Sequence, residues 1–194
     1  MEFRDKRVKT VNIKVAVFPS IKRLKDFAFQ PTIDKNKVMD FKTLRFLEYN
    51  ENIVFQGYLG TRKTHLSMVI GIEAVLNRIS TYYINCYQLI LNQKKSKEKN
   101  KFEQKLKFYT KYKLLVIDEV CFLPIDKEGT YLFFKLISRR NETKSTIVPT
   151  NIQFALWSEL FSDDVLASVI LNRLLHHSHI IKKEGESYRL KDKI

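Results

Sequence analysis

The chain has 194 residues, 44% of them hydrophobic, 29% charged and 12% aromatic, which suits one compact domain and excludes global disorder. Its 35 Lys and Arg against 21 Asp and Glu leave a net charge of +14, the sign expected of a protein that meets a polyanion. No run approaches the ~18 apolar residues of a membrane span, Met1–Thr10 lacks the apolar core of a secretory signal, and Cys86 and Cys121 make no disulfide framework, so a reducing cytoplasm and no membrane partner are expected.

Residues 1–50 carry 12 basic and 6 acidic side chains and read as a basic amino-terminal segment and linker, with residues 51–194 as the core domain. Asn52–Gln56 is a short apolar run ending at Gly57, as a buried strand would be. Thr64–Asn77 places Leu66, Val69, Ile70 and Val75 on one face and predicts a helix. Ser80–Asn85, β-branched and aromatic, predicts a strand, and Tyr87 to about Lys111 a basic helix. Within it Lys94–Lys113 holds nine lysines against Glu98 and Glu103, which reads either as a solvated face or as a surface for nucleic-acid phosphates.

Lys113–Asp118 is a continuous apolar run, suited to a parallel strand buried on both faces. Gly129–Asn141 predicts a helix, Ser145–Val148 a strand and Val165–His176 a further helix. This alternation is the pattern of an α/β domain with a parallel sheet flanked by helices.

Gly57-Tyr58-Leu59-Gly60-Thr61-Arg62-Lys63-Thr64 follows a strand and opens a helix, the context of a phosphate-binding loop, G-x-x-x-x-G-K-[ST]. Backbone N–H groups from Gly57 to Thr64 would face phosphate oxygens. Lys63 would reach the β- and γ-phosphates of ATP, and the Thr64 hydroxyl would help to hold Mg²⁺. One position breaks the pattern, with Arg62 standing where glycine is expected. Asp118 and Glu119 close the later apolar strand; the first can support Mg²⁺ and the second can polarise an attacking water.

Five stretches carry a resemblance: FPSIKRLKDFAFQP (18–31), ENIVFQGYLGTRKTHLS (51–67), YKLLVIDEVCFLP (112–124), STIVPTNIQFALWSELF (145–161) and LNRLLHHSHIIKKEGESYRL (171–190). From about Val17 to Leu190 the chain resembles the IstB/DnaC-type AAA+ ATPases, and specifically the IstB-like transposition helpers. The resemblance implies a P-loop NTPase sheet with a small helical lid region toward the carboxyl end. It implies an ATPase that assembles on DNA as a homo-oligomer and delivers that DNA to a transposase. Asn151, by itself readable as a cap or turn residue, becomes the sensor that orients water beside the γ-phosphate. Arg173 becomes the finger that reaches a neighbouring subunit's nucleotide, and Arg189 a candidate second sensor.

Several positions depart from the family pattern. Tyr58, Leu59 and Arg62 replace Pro, Pro and Gly, Cys121 replaces Gly, and Pro149 precedes the sensor position. Proline removes a ladder donor, which predicts a disturbed placement of Asn151. Relatives carry more helical sequence before the FP-containing linker, so a truncated copy with impaired activity is expected. A DnaC-like helicase loader and a DNA-binding remnant with a silent nucleotide site are the alternatives. His176, His177 and His179, at H-H-x-H spacing with no ligand cluster beside them, read as structural, as does His65.

Overall fold

The computed structural model describes residues 16–22, 35–120 and 124–183. After α1 (Lys35–Lys42) and a 3₁₀ turn at Arg45–Leu47, the chain alternates between strand and helix. It runs through β1 (Asn52–Gly57), α2 (Lys63–Leu76), β2 (Thr81–Asn85), α3 (Cys86–Glu98), α4 (Phe102–Thr110) and β3 (Leu114–Asp118). It continues through α5 (Lys127–Arg140), β4 (Ser145–Thr150), a 3₁₀ turn at Phe154–Leu156, α6 (Trp157–Leu160), α7 (Asp164–Leu175) and β5 (Ser178–Lys183). The strands form one sheet in the order β2-β3-β4-β1-β5, every neighbour pair parallel. Among the described residues no helix is long and apolar enough to cross a membrane.

Both faces of the sheet are covered, which is why its strands read as apolar runs rather than as alternating ones. Strand residues of alternate parity feed two core layers. Leu115, Ile117 and Val148 join Leu89, Phe133, Trp157 and Ile170 on one face. Leu114, Val116 and Ile147 join Leu66, Ile70, Phe41 and Phe46 on the other. Thus α1, inside the basic amino-terminal segment, packs its Val38 and Phe41 into the second layer.

Three helices begin at side chains that satisfy an orphan backbone N–H, each contact stabilising its helix by about 1 kcal/mol. Asn85 accepts from Tyr87 N, Asp126 from Gly129 N and Asp163 from Leu166 N. Arg140 is 1% exposed and makes no ion pair among the described residues, and its donors go to oxygens. Nε reaches Thr146 Oγ1 at 3.1 Å, Nη1 the carbonyls of Tyr109 and Tyr112 at 3.0 and 2.9 Å, and Nη2 that of Ser145 at 2.5 Å. Burial pushes its pKa down to about 9, yet the side chain ties α5 to the starts of β3 and β4.

Two readings of the sequence need correction, and two elements were not read from it. The basic helix expected over Tyr87–Lys111 is two helices, broken where Asn100 takes a left-handed φ of 53°. Strand β4 continues through Pro149 to Thr150, with Phe55 opposite Pro149. The proline is tolerated because the β3–β4 ladder spans only Leu114–Val116 against Ser145–Ile147. The stretch after the histidines is strand β5, which pairs with the whole of β1 from Asn52↔Ser178 to Gly57↔Lys183. The helix at Lys35–Lys42 has no counterpart in the sequence reading. Cys86 is buried, as a small apolar residue would be, whereas Cys121 and Arg189 lie outside the described residues.

Candidate functional site

The carboxyl ends of β1, β3 and β4 open onto a cavity of about 460 Å³, where ligands of open parallel sheets sit. From the loop between β1 and α2 it is lined by Gly60, Thr61, Arg62, Lys63 and Thr64, from β3 by Asp118 and Glu119, and beyond β4 by Asn151. Eight of the ten residues expected from the sequence therefore meet in one place. Gly57 stands one step back, its carbonyl held by the Lys63 ammonium. Arg173 lies elsewhere, lining a separate cavity of about 330 Å³ with Glu142 and His176.

The loop's geometry follows from its residues. Gly60 takes a φ of 82°, which a side chain would resist. Arg62 caps α2 at φ 57° and ψ 27°, also left-handed, at the position where glycine was expected. Lys63 is 8% exposed, and its Nζ donates to the carbonyls of Gly57 and Tyr58 at 2.7 Å each and to Thr61 Oγ1 at 3.2 Å. Thr61 Oγ1 in turn donates to the Tyr58 carbonyl at 2.7 Å. The loop is thus folded around its own lysine.

Asp118 is 2% exposed. Its Oδ1 accepts from Thr64 Oγ1 at 2.9 Å and from Glu119 N at 2.9 Å. Its Oδ2 accepts from the Tyr83 hydroxyl. Glu119 is exposed, stands at a left-handed φ of 54°, and takes a hydrogen bond from Asn85 Nδ2. Burial, and then the hydrogen bond to Asp118, push the Tyr83 phenol pKa upward, so it remains a donor at neutral pH. Asn151 is half-buried, and its Oδ1 accepts no hydrogen bond among the described residues. An orphaned acceptor of that kind invites a ligand or a water.

These features suit a polyphosphate with Mg²⁺. A hydroxyl and a carboxylate stand within hydrogen-bond distance, as two oxygen supports of one hard cation would. A lysine with three donors and the amino end of α2 face the same space. Tyr83, Asn85 and Lys22, which lines the cavity from the linker, have no motif in the sequence to reveal them.

On α7, Arg173 is half-buried, donates to Ser138 Oγ and lies 4.9 Å from the ring of Phe134. The three histidines do not all converge, but the ligand atoms of His176, His177 and Glu142 lie within 4.8 Å of one another, where the sequence reading expected no ligand cluster. His176 and His177 are exposed beside Glu142, while His179 Nε2 lies 2.9 Å from Glu51 and its ring packs edge-on against Phe41. His65 is half-buried at the cavity wall.

A family model described as IstB-like ATP binding protein matches residues 1–194. The chain is 49% identical over 194 residues to the protein named for ATP binding in insertion sequence IS232 of Bacillus thuringiensis subsp. berliner, covering 99% of this chain and 78% of that protein. It is 40% identical over 192 residues to the corresponding protein of insertion sequence IS21 from Pseudomonas aeruginosa, covering 98% and 72%. Among solved structures, the DnaC helicase loader superposes with a TM-score of 0.69 at 19% identity, over 84% of this chain and 96% of that one. AMPPCP-bound DnaA from Aquifex aeolicus gives 0.69 at 19% identity, over 91% and 54%. At these identities the two structures speak for the fold alone.

Proposed function

The chain belongs to the IstB-like ATP binding protein family of insertion elements, and from that premise we propose that it is an ATP-dependent helper of transposition. Nucleotide would drive its assembly with further copies of itself on target DNA, which it would present to a transposase in the cytoplasm. The observation that carries this reading is the convergence of Lys63, Thr64, Asp118, Glu119 and Asn151 on one cavity.

Each residue has a task that its surroundings suit. Lys63 exchanges the Gly57 and Tyr58 carbonyls for phosphate oxygens, helped by the loop N–H groups. Thr64 and Asp118 would hold Mg²⁺, which when bound offsets phosphate charge and fixes the phosphates in place. Glu119 would take a proton from the attacking water, a role its exposed carboxylate suits better than a buried one would. Asn151 orients that water through its unengaged oxygen. Arg173, supplied by a neighbouring copy, stabilises charge on the transferred phosphoryl group and makes turnover depend on assembly.

DNA would be gripped through phosphates rather than bases, by lysines of α3 and α4 and by the basic amino-terminal segment of residues 1–50. ATP turnover by the full chain, with and without duplex DNA, tests the reading. The expected result is turnover that DNA raises and that Lys63→Ala lowers by about a hundredfold or more. DNA binding without any turnover would instead identify a DNA-binding module with a silent nucleotide site.

A further inference from the structure

The geometry points to Tyr83 as a positioning residue for Asp118, held in place by the linker around Phe18, so that metal-dependent nucleotide binding depends on how the linker is seated. This inference rests on the reading of the cavity as an ATP site.

The Asp118 carboxylate is buried, and its two oxygens have different partners. Oδ1 takes the Thr64 hydroxyl and the Glu119 N–H, each at 2.9 Å. Oδ2 takes the Tyr83 hydroxyl as its side-chain donor. A carboxylate turns freely about its Cβ–Cγ bond unless both oxygens are engaged. The phenol therefore decides which edge faces Thr64, and with it where a cation shared by Thr64 and Asp118 can sit. Partners behind a metal ligand commonly govern affinity in this way.

Tyr83 is itself fixed from the side away from the cavity. Its backbone N–H donates to the Ala16 carbonyl at 2.9 Å. Its ring meets that of Phe18 at 5.4 Å between centroids, tilted by 43°. Phe18 in turn fits against Gly71 of α2, where a Cβ would lie 2.6 Å from Phe18 Cζ and 3.3 Å from Val116 Cγ2. A residue larger than glycine would displace the ring. Linker, α2 and β2 thus meet at one phenol whose oxygen touches the site.

The test uses the full chain and a fluorescent ATP analogue, titrated first in EDTA and then with MgCl₂. Tyr83→Phe removes one oxygen and keeps the ring. It is expected to raise the Mg²⁺ concentration at the midpoint by about tenfold while leaving metal-free nucleotide affinity unchanged. A midpoint within about twofold of wild type overturns the role of Tyr83. Phe18→Leu is expected to shift the midpoint in the same direction by less, and no shift overturns the part played by the linker. A wild-type chain that binds no analogue under either condition removes the ATP reading itself, and this inference with it. Direct Mn²⁺ binding followed by electron paramagnetic resonance gives the same comparison without turnover. Loss of Mn²⁺ affinity in Tyr83→Phe is expected there, and an unchanged value counts against the role.

Discussion

Arg62 holds a backbone conformation that side chains disfavour by about 1–2 kcal/mol, at the loop position where the motif calls for glycine and this chain lacks it. A glycine there would return part of that strain to its own flexibility in the unfolded chain, by about 0.5–1 kcal/mol. Arg62→Gly is therefore expected to raise stability in urea unfolding by about 0.5–1 kcal/mol and to tighten ATP binding by opening the loop to phosphate. Weaker ATP binding in the variant would show that the guanidinium serves the phosphates instead. The loop and the paired carboxylates are legible in the sequence because each motif is local or closes a strand, whereas Asn151 is singled out only through the family resemblance. Tyr83 and Lys22 are not legible, because what brings them to the site is the β2–β3 register and the course of the linker. Pro149 misled the reading of Asn151, since which strand edge a proline faces is a tertiary fact.

Helices α3 and α4 show how a lysine count differs from a lysine surface. Lys94 Nζ lies 2.6 Å from Asp126, and Lys97 Nζ lies 2.6 Å from Glu128. Lys105 and Lys111 lie over the Phe108 ring at 5.0 and 4.6 Å. Lys95, Lys99, Lys101 and Lys107 are exposed and make no ion pair among the described residues. If the pair of helices grips DNA, these four are the cations exposed for it, Lys107 with Glu103 near enough to feel its charge. Replacing all four with Gln is expected to flatten the dependence of log affinity on log salt by about three to four units, while neutralising Lys94 and Lys97 changes it little. An unchanged slope in the fourfold variant would place the phosphate contacts elsewhere. The break at Asn100 escaped the sequence reading because lysines on both sides favour helix and no glycine or proline marks the turn.

Across the whole molecule, the cavity at the carboxyl ends of β1, β3 and β4 and Arg173 occupy separate places on the fold, so under the proposed function this arginine would have to come from a neighbouring copy. Mixing Lys63→Ala with Arg173→Ala, each expected to be inactive alone, is expected to restore activity, because about a quarter of randomly paired sites join an intact lysine to an intact arginine. No recovery in the mixture would return Arg173 to a structural role on Phe134 and Ser138. The sheet class was legible from the alternation of apolar runs. Strand β5 was not, because Ser178–Lys183 follows α7 within three residues and its apolar content lies mainly in Ile180 and Ile181.

The three hydrogen bonds that the Lys63 ammonium makes to its own loop would turn nucleotide entry, on the proposed function, into a replacement reaction. Incoming phosphate would have to wait for carbonyls to let go, which would give loading a ceiling. In stopped-flow mixing with a fluorescent ATP analogue, the observed rate is expected to level off as concentration rises, at the pace of the loop's own opening. A straight line to high concentration would mean that the lysine is surrendered faster than nucleotide arrives.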